Sequence, residues 1–367
     1  MTIYIVDLEK LETRYTQQWA THVPNLIKQH GHDVIVISGP DNIPSVPTPG
    51  MFLNFAATNV YKASQVEKIS RLFCEGKIKD GDYFLFTDAW HPGVINLKYM
   101  IELLGINATI GGLWHAGSYD KWDGLGRLIG NKPWVRYAEQ SFYHAFDHNY
   151  FATEFHVRLF MEELLNNGLV NENPWFEEEW TERYNGGKIV RTGWPMEYMG
   201  DTLASYKNIT KRNLILFPHR IAPEKQVDIF RDLSKNLPQY EFIVCQDHQL
   251  TKHQYHTLLG EAKMVFSANL QETLGISTCA EGPLVNALPV APDRLSYSEI
   301  FKNHRDFLYP SEWTQDWDHY LIHKIKLIEL ITHRMNTYDQ HVLKIKDFVD
   351  SDYKQYFYAD RLLKNLK

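Results

Sequence analysis

Asn213-Leu214-Ile215-Leu216-Phe217-Pro218-His219-Arg220-Ile221-Ala222-Pro223-Glu224-Lys225 decides how this chain is read. The apolar run Asn213–Phe217 predicts a strand, and Pro218 ends it. A helix is expected over Ala222–Asn236, with Pro223 near its start, where a missing N–H costs little. A strand that feeds a loop and then a helix is the unit of a parallel α/β sheet, and ligands of such sheets sit beyond the carboxyl ends of the strands. Arg220 and Lys225 are therefore placed to face a diphosphate. Arg can grip two oxygens, and Lys supplies a point charge. Taken alone, two such cations also fit a solvated surface.

The same alternation runs outward in both directions. Downstream, strands are expected at Glu241–Cys245, Met264–Ser267 and Pro289–Ala291, and helices at Lys252–Glu261 and Ser277–Leu284. After Trp313 the chain reads as mostly helical. Upstream, strands are expected at Ile3–Val6, Asp33–Ser38, Tyr83–Thr87, Thr109–Leu113, Tyr150–Thr153 and Lys188–Thr192. Helices are expected at Tyr15–His30, Ser64–Cys74, Val94–Leu104, Val135–Phe146 and Glu154–Asn166, with a loop over Asn171–Gly187. The polar stretch Asp201–Arg212 marks the boundary between two Rossmann-like halves. We expect an N-terminal domain over 1–200, a second over 201–345 and a helical tail over 346–367. A length of 367 residues suits two α/β domains better than one.

Composition narrows the function classes. Net charge is −7, whereas a protein that tracks many phosphates carries a basic surplus, so any nucleic-acid contact must be local. The three cysteines, Cys74, Cys245 and Cys279, exclude a disulfide framework or Cys-rich zinc site and suit a reducing cytosol. No apolar run approaches the roughly 20 residues that span a bilayer. Met1–Asp7 reads as a buried strand rather than a signal peptide. A cytoplasmic protein without a membrane partner is expected.

A second segment strengthens the first. Ala262–Ser267 reads as a strand, followed by Ala268-Asn269-Leu270-Gln271-Glu272-Thr273-Leu274-Gly275-Ile276-Ser277-Thr278-Cys279-Ala280-Glu281. Gly275 would let the backbone approach a ligand, and N–H groups near Ser277–Cys279 would favour a phosphate. Glu272 sits where it would bond sugar hydroxyls, and Glu281 where it would reach a ribose. Each piece is common, but their order after an Arg…Lys loop is not.

These two segments resemble the donor site of retaining GT-B glycosyltransferases of the glycogen-synthase-like group. That resemblance implies an α/β GT-B fold, two Rossmann-like domains facing across a cleft. It also implies a nucleotide-sugar donor, UDP- or GDP-linked, bound by Arg220, Lys225, Leu274, Gly275, Ile276 and Glu281, with Glu272 on the sugar. No other cofactor is expected. The group spaces its two glutamates by seven residues, whereas eight separate Glu272 and Glu281 here. Pro218-His219-Arg220 and Tyr297-Ser298-Glu299-Ile300-Phe301 resemble queuosine-tRNA mannosyltransferase-like enzymes. Bacteriophage enzymes that glycosylate hydroxymethylated DNA bases are a second relative. The specific likeness covers about 90 residues of the C-terminal half.

In the N-terminal half, Gly111-Gly112-Leu113-Trp114-His115-Ala116-Gly117-Ser118-Tyr119-Asp120 follows a strand. The resemblance implies that His115 faces the donor sugar as a catalytic partner of Glu272; a structural loop histidine is the other reading. Thr87-Asp88-Ala89-Trp90-His91-Pro92 also follows a strand, so Asp88 would orient an acceptor hydroxyl beside Trp90, although such residues also make ordinary turns. From Trp114 to Tyr143, Lys121, Arg127, Lys132 and Arg136 interleave with Tyr119, Trp122, Trp134 and Tyr137. That pattern suits a base-containing acceptor, with Trp114 and Tyr119 as contacts, or an amphipathic cover over the sheet. Asp80-Gly81-Asp82 precedes a strand and reads as a turn. His248, His253 and His256 beside Asp247 match no zinc spacing. No essential metal is expected.

The resulting expectation is retaining transfer from a nucleotide sugar to a hydroxyl. The first choice of acceptor is a hydroxymethylated pyrimidine in phage DNA; a modified tRNA base and a small glycan follow. A nucleotide-sugar 2-epimerase needs no acceptor, and a non-catalytic binding module predicts no turnover. Product analysis separates all three.

Overall fold

The computed structural model describes residues 1–11, 15–44, 46, 48, 53–165 and 187–366. The expected loop over 171–186 and the last residue of the helix expected to reach Asn166 lie outside them. The chain forms two compact units, Met1–Pro195 with Ala359–Lys367, and Met196–Tyr358.

Unit 1 is built on six parallel strands: β1 (Thr2–Val6), β2 (Asp33–Ile37), β3 (Tyr83–Phe86), β4 (Thr109–Leu113), β5 (His148–Phe151) and β6 (Ile189–Arg191), in the order β2-β1-β3-β4-β5-β6. Its helices are α1 (Thr16–Gln29), α2 (Phe55–Cys74), α3 (Gly93–Leu104), α4 (Gly124–Ile129), α5 (Pro133–Ala145) and α6 (Glu154–Phe160). The central strands β1 and β3 are apolar and buried almost throughout, because helices cover both faces of a parallel sheet. β2 lies at the edge, and its Ile35 and Val36 stay exposed.

Unit 2 begins with α7 (Tyr198–Leu203) and β7 (Arg212–Phe217). It continues through α8 (Val227–Asn236), β8 (Glu241–Val244), α9 (Lys252–Glu261), β9 (Ala262–Phe266), β10 (Leu288–Pro292), α10 (Leu295–Ile300) and β11 (Leu308–Tyr309) to α11 (Trp317–Asn336) and α12 (Tyr338–Ser351). Its five strands pair in parallel in the order β11-β10-β9-β7-β8. Among the described residues no helix is long and apolar enough to cross a membrane.

Three local features differ from expectation. α2 starts at Phe55, nine residues before Ser64, with the Asn54 side chain capping the amides of Ala56 and Ala57. The helix expected over Ala222–Asn236 is broken at Gln226. That residue adopts a left-handed φ of 52° between a 3₁₀ turn at Pro223–Lys225 and α8. The helix after Gly275 is a π-helix over Ile276–Glu281, continued by an α turn at Gly282–Leu284.

Candidate functional site

In unit 2 the chain leaves β7 for β8 on one side and reaches β9 on the other. The carboxyl ends of β7 and β9 therefore flank the point where strand order reverses, which is where open α/β sheets hold their ligands. Both segments singled out in the sequence, Pro218–Lys225 and Ser267–Gly275, leave the sheet there.

The two loops are stitched to each other. The Lys225 ammonium donates to the Gln271 carbonyl at 2.6 Å and lies 3.5 Å from Glu272 Oε2. Leu270 N–H donates to the Glu224 carbonyl at 2.8 Å. Burial pushes the Glu272 pKa up, but the Lys225 ammonium and the amides of Gly275 and Leu274 outweigh it, so the group stays below the usual carboxylate value. Arg220 donates through Nε and Nη2 to Oε1 of the fully buried Glu224, at 3.1 and 2.5 Å, and its side chain stays 29% exposed. That exposure makes Arg220 the cation most open to a ligand.

Residues the sequence reading passed over hold this mouth together. Gln226 Nε2 donates to the carbonyls of Ala268 and Thr314 at 2.6 and 2.7 Å, which explains the left-handed break. Arg294 donates to the carbonyls of Asn269, Ala268 and Ser311. Buried Asn269 donates to Tyr297 Oη at 2.9 Å and to Glu272 Oε2 at 3.4 Å. His219 sits in the same network. Its buried Nε2 meets no partner among the described residues. Burial and the neighbouring Lys225 push its pKa down to about 3, so the imidazole is neutral. A neutral imidazole carries one N–H and one lone pair, either of which can meet a hydroxyl. The sequence signal for it was its place between Pro218 and Arg220.

Gly275 has a φ of +73°, and an added Cβ would lie 2.9 Å from both Cys279 Sγ and Tyr297 Cε1. Both chirality and space demand glycine. Leu274 beside it is buried and Ile276 half-buried. Glu281 Oε2 accepts from the Tyr255 hydroxyl at 2.6 Å, and Oε1 lies 3.9 Å from His256 Nε2. A π turn takes up one residue more than an α turn. The π-helix over Ile276–Glu281 thus absorbs the one-residue excess between Glu272 and Glu281.

In unit 1 the candidates are more fully engaged. His115 lies among the rings of Tyr15, Trp19 and Trp194, with centroids at 5.8, 5.5 and 4.9 Å. Its Nε2 is 2.6 Å from the Thr87 carbonyl, and its Nδ1 bonds to the Tyr15 hydroxyl. An imidazole so engaged meets a sugar hydroxyl only by giving up one of these bonds. Asp88 pairs with the Lys62 ammonium at 3.0 Å and caps Trp90 N–H at 3.0 Å. Burial would raise the Asp88 pKa, but Lys62 and His115 bring it below the usual value. Trp90 Nε1 donates to Glu139 at 2.8 Å.

Trp114 and Tyr119, expected to contact an acceptor, are corrected. Trp114 is fully buried, packs on Phe160 and donates to Asn149, while Tyr119 is buried and bonds to His156 Nε2. The glycines around them made the segment look like a ligand loop, yet Gly111 and Gly112 exist because neighbouring aromatic rings fill the space of a Cβ. Asp80 and Asp82 accept backbone amides of Asn107, Lys79 and Thr2, as turn residues do. After β1, Glu9 is buried with neither carboxylate oxygen partnered among the described residues. No motif in the sequence marked it.

No protein-family model matches the chain, and neither does any curated protein sequence. Solved structures do. The sucrose-phosphate synthase of Thermosynechococcus elongatus superposes with a TM-score of 0.58 at 10% identity, over 99% of this chain and 97% of that one. Anabaena HepE in complex with UDP and glucose gives 0.56 at 10% identity, over 99% and 97%. A UDP-forming α,α-trehalose-phosphate synthase from Burkholderia xenovorans gives 0.55 at 10% identity, over 100% and 98%. Two parallel α/β sheets and these neighbours show the GT-B fold.

Proposed function

We propose that this chain is a glycosyltransferase, and that the β7–β9 mouth of unit 2 binds a nucleotide sugar, UDP- or GDP-linked, for retaining transfer to a hydroxyl. The observation that carries the reading is the bonded network of Arg220, Lys225, His219 and Glu272 at the point of strand reversal. As the anomeric C–O bond breaks, the leaving diphosphate gains negative charge. Arg220 and Lys225 stabilise that charge, usually the largest catalytic effect. The acceptor oxygen attacks from the same face, and its proton passes to the departing phosphate.

Glu272 positions the sugar. When it turns to the sugar hydroxyls, the amides of Leu274 and Gly275 beside it become available to the donor, next to Ile276. His219 Nε2, on a neutral ring, bonds a sugar hydroxyl, which can donate or accept. Glu281, returned to register by the π turn, reaches the ribose.

For the acceptor, the choice we carry is a hydroxymethylated pyrimidine in DNA. Trp134 and Tyr137 are 60% and 67% exposed one turn apart on α5, next to exposed Lys132. Exposed rings beside cations suit bases and phosphates. The Pro218-His219-Arg220 string resembles enzymes that act on a modified tRNA base, so it supports a nucleobase acceptor and keeps tRNA as the alternative.

One experiment tests both levels. Enzyme and a panel of nucleotide sugars are incubated with hydroxymethylcytosine DNA, plain DNA, bulk tRNA and soluble glycans, and products are read by mass spectrometry. Transfer that falls tenfold or more in Glu272→Gln, with nucleoside diphosphate affinity kept, supports the donor site. Transfer at the parent rate in that variant removes it. Sugar found only on tRNA or on glycans overturns the DNA acceptor alone.

A further inference from the structure

We infer that unit 2 carries a second binding site, for a small phosphorylated solute, in a cavity of about 530 Å³ walled by α11, α12 and Trp313. None of its lining residues belongs to the β7 or β9 loops, so it is separate from the proposed donor site. Its volume lies within the roughly 300–1,000 Å³ of small-molecule pockets.

Two residues of the lining each carry a buried polar atom with no partner among the described residues. Arg334 is 6% exposed; its Nη2 donates to the Leu308 carbonyl at 2.7 Å, while Nη1 has no partner among the described residues. His341, also 6% exposed, has an unpartnered Nδ1. Buried polar atoms are satisfied in the large majority of cases, and a buried guanidinium N–H left empty is costly. Burial lowers the Arg334 pKa to about 10, which still leaves it charged at neutral pH.

The charges around these atoms favour an anion. Lys326, Arg334 and Lys344 outnumber Asp306 and Glu329 in the lining. Asp306 is already taken by Lys344 at 2.5 Å. A phosphate brings several acceptor oxygens and negative charge, which matches a guanidinium N–H beside ammonium groups. Trp313 gives the body of the ligand, such as a sugar ring, an apolar wall. A concave pocket of this size fits a solute better than a bilayer surface, so the soluble compound is the occupant we assign.

The test is calorimetry with inorganic phosphate and with glucose 6-phosphate, against chloride at matched ionic strength. The titrations are run both without UDP and with UDP added to occupy the proposed donor site. Both phosphates should bind, the sugar phosphate more tightly. Lys326→Glu, at an exposed position without an ion pair among the described residues, should weaken binding at least fivefold, and Arg334→Gln at least tenfold. Circular dichroism checks the fold of Arg334→Gln, and if it is unfolded Lys326→Glu decides alone. No binding beyond chloride, or binding unchanged in the folded variants, overturns the site. So does co-sedimentation with anionic phosphatidylglycerol vesicles in the absence of any binding of the soluble phosphates. A donor-site reading that fails leaves this result standing, since UDP then merely has no effect on it.

Discussion

The β7–β9 mouth of unit 2 and the β3–β4 mouth of unit 1 look alike as sequence: each is a strand end dressed with histidine, carboxylate and aromatic residues. They differ in what remains to be bonded. In unit 1, both nitrogens of His115 are committed, Trp114 is sealed in the core, and Asp88 is held by Lys62. In unit 2, Arg220 keeps a surface, and His219 keeps a buried nitrogen without a partner among the described residues. Residue type at a strand end marks polarity; unmade hydrogen bonds mark a place for a ligand.

The largest expected effect tests the unit 1 side. Trp114→Ala should cost about 3–5 kcal/mol of stability, as truncating a buried aromatic does, while nucleoside diphosphate affinity of the folded fraction stays unchanged. Urea denaturation and calorimetry measure the two. A stable variant with altered ligand binding would move Trp114 back to the surface.

On the unit 2 side, Arg220→Ala should weaken nucleoside diphosphate binding by about 1.5–3 kcal/mol, the worth of a charge-assisted contact. Because Glu224 loses its partner, Arg220→Lys is the control: it keeps a charge near Glu224 but not the two-pronged grip. Equal affinity in all three proteins would remove Arg220 from the site.

Acid divides the two units more finely. His91 and His156 in unit 1 and His219 in unit 2 have their pKa values lowered to about 3, in each case chiefly by burial. An unfolded histidine titrates near 6.5. Between pH 6.5 and 3 the unfolded chain binds the proton and the folded one does not, so stability is complete above 6.5 and falls as pH falls. Each group contributes about 1.4 kcal/mol per pH unit. Tm followed from pH 7.5 to 5 should drop, and His156→Asn should flatten the slope. An unchanged slope would show that His156 is not buried neutral.

The smallest effect is the most local. His219→Ala should cost about 1 kcal/mol in nucleotide-sugar binding, one neutral hydrogen bond, and leave free diphosphate binding intact. Competition titration resolves that difference. Equal losses for both ligands would place Nε2 on the nucleotide instead of the sugar.

The sheets were legible because central parallel strands are continuous apolar runs, as Leu214–Phe217 shows, and α9 was read to its limits at Lys252 and Glu261. The start of α2 was not legible. Its buried face includes Lys62 and Gln65, which serve the polar groups of Asp88 and Asp7, so hydrophobic periodicity fades there. The break at Gln226 arises from carbonyls contributed by residues 42 and 88 positions away, beyond any local rule. The residues of the proposed donor site were picked out by their order along the chain. The partners that set their chemistry, Asn269, Arg294 and Tyr297, emerged only from packing. The extra residue between Glu272 and Glu281 was visible, but its absorption by a π turn was not.

Unit 1 takes its last residues, Ala359–Lys367, from beyond the whole of unit 2, and Leu362, Leu363 and Leu366 in that segment are buried. On a translating ribosome, growth from Pro195 to Ala359 takes roughly 10–30 s at about 5–20 residues per second. Throughout that interval the first-made half waits, incomplete, for leucines not yet synthesised, while the second-made half has all its residues before it. Birth order and completion order are therefore reversed, and the early half is the one most in need of a chaperone.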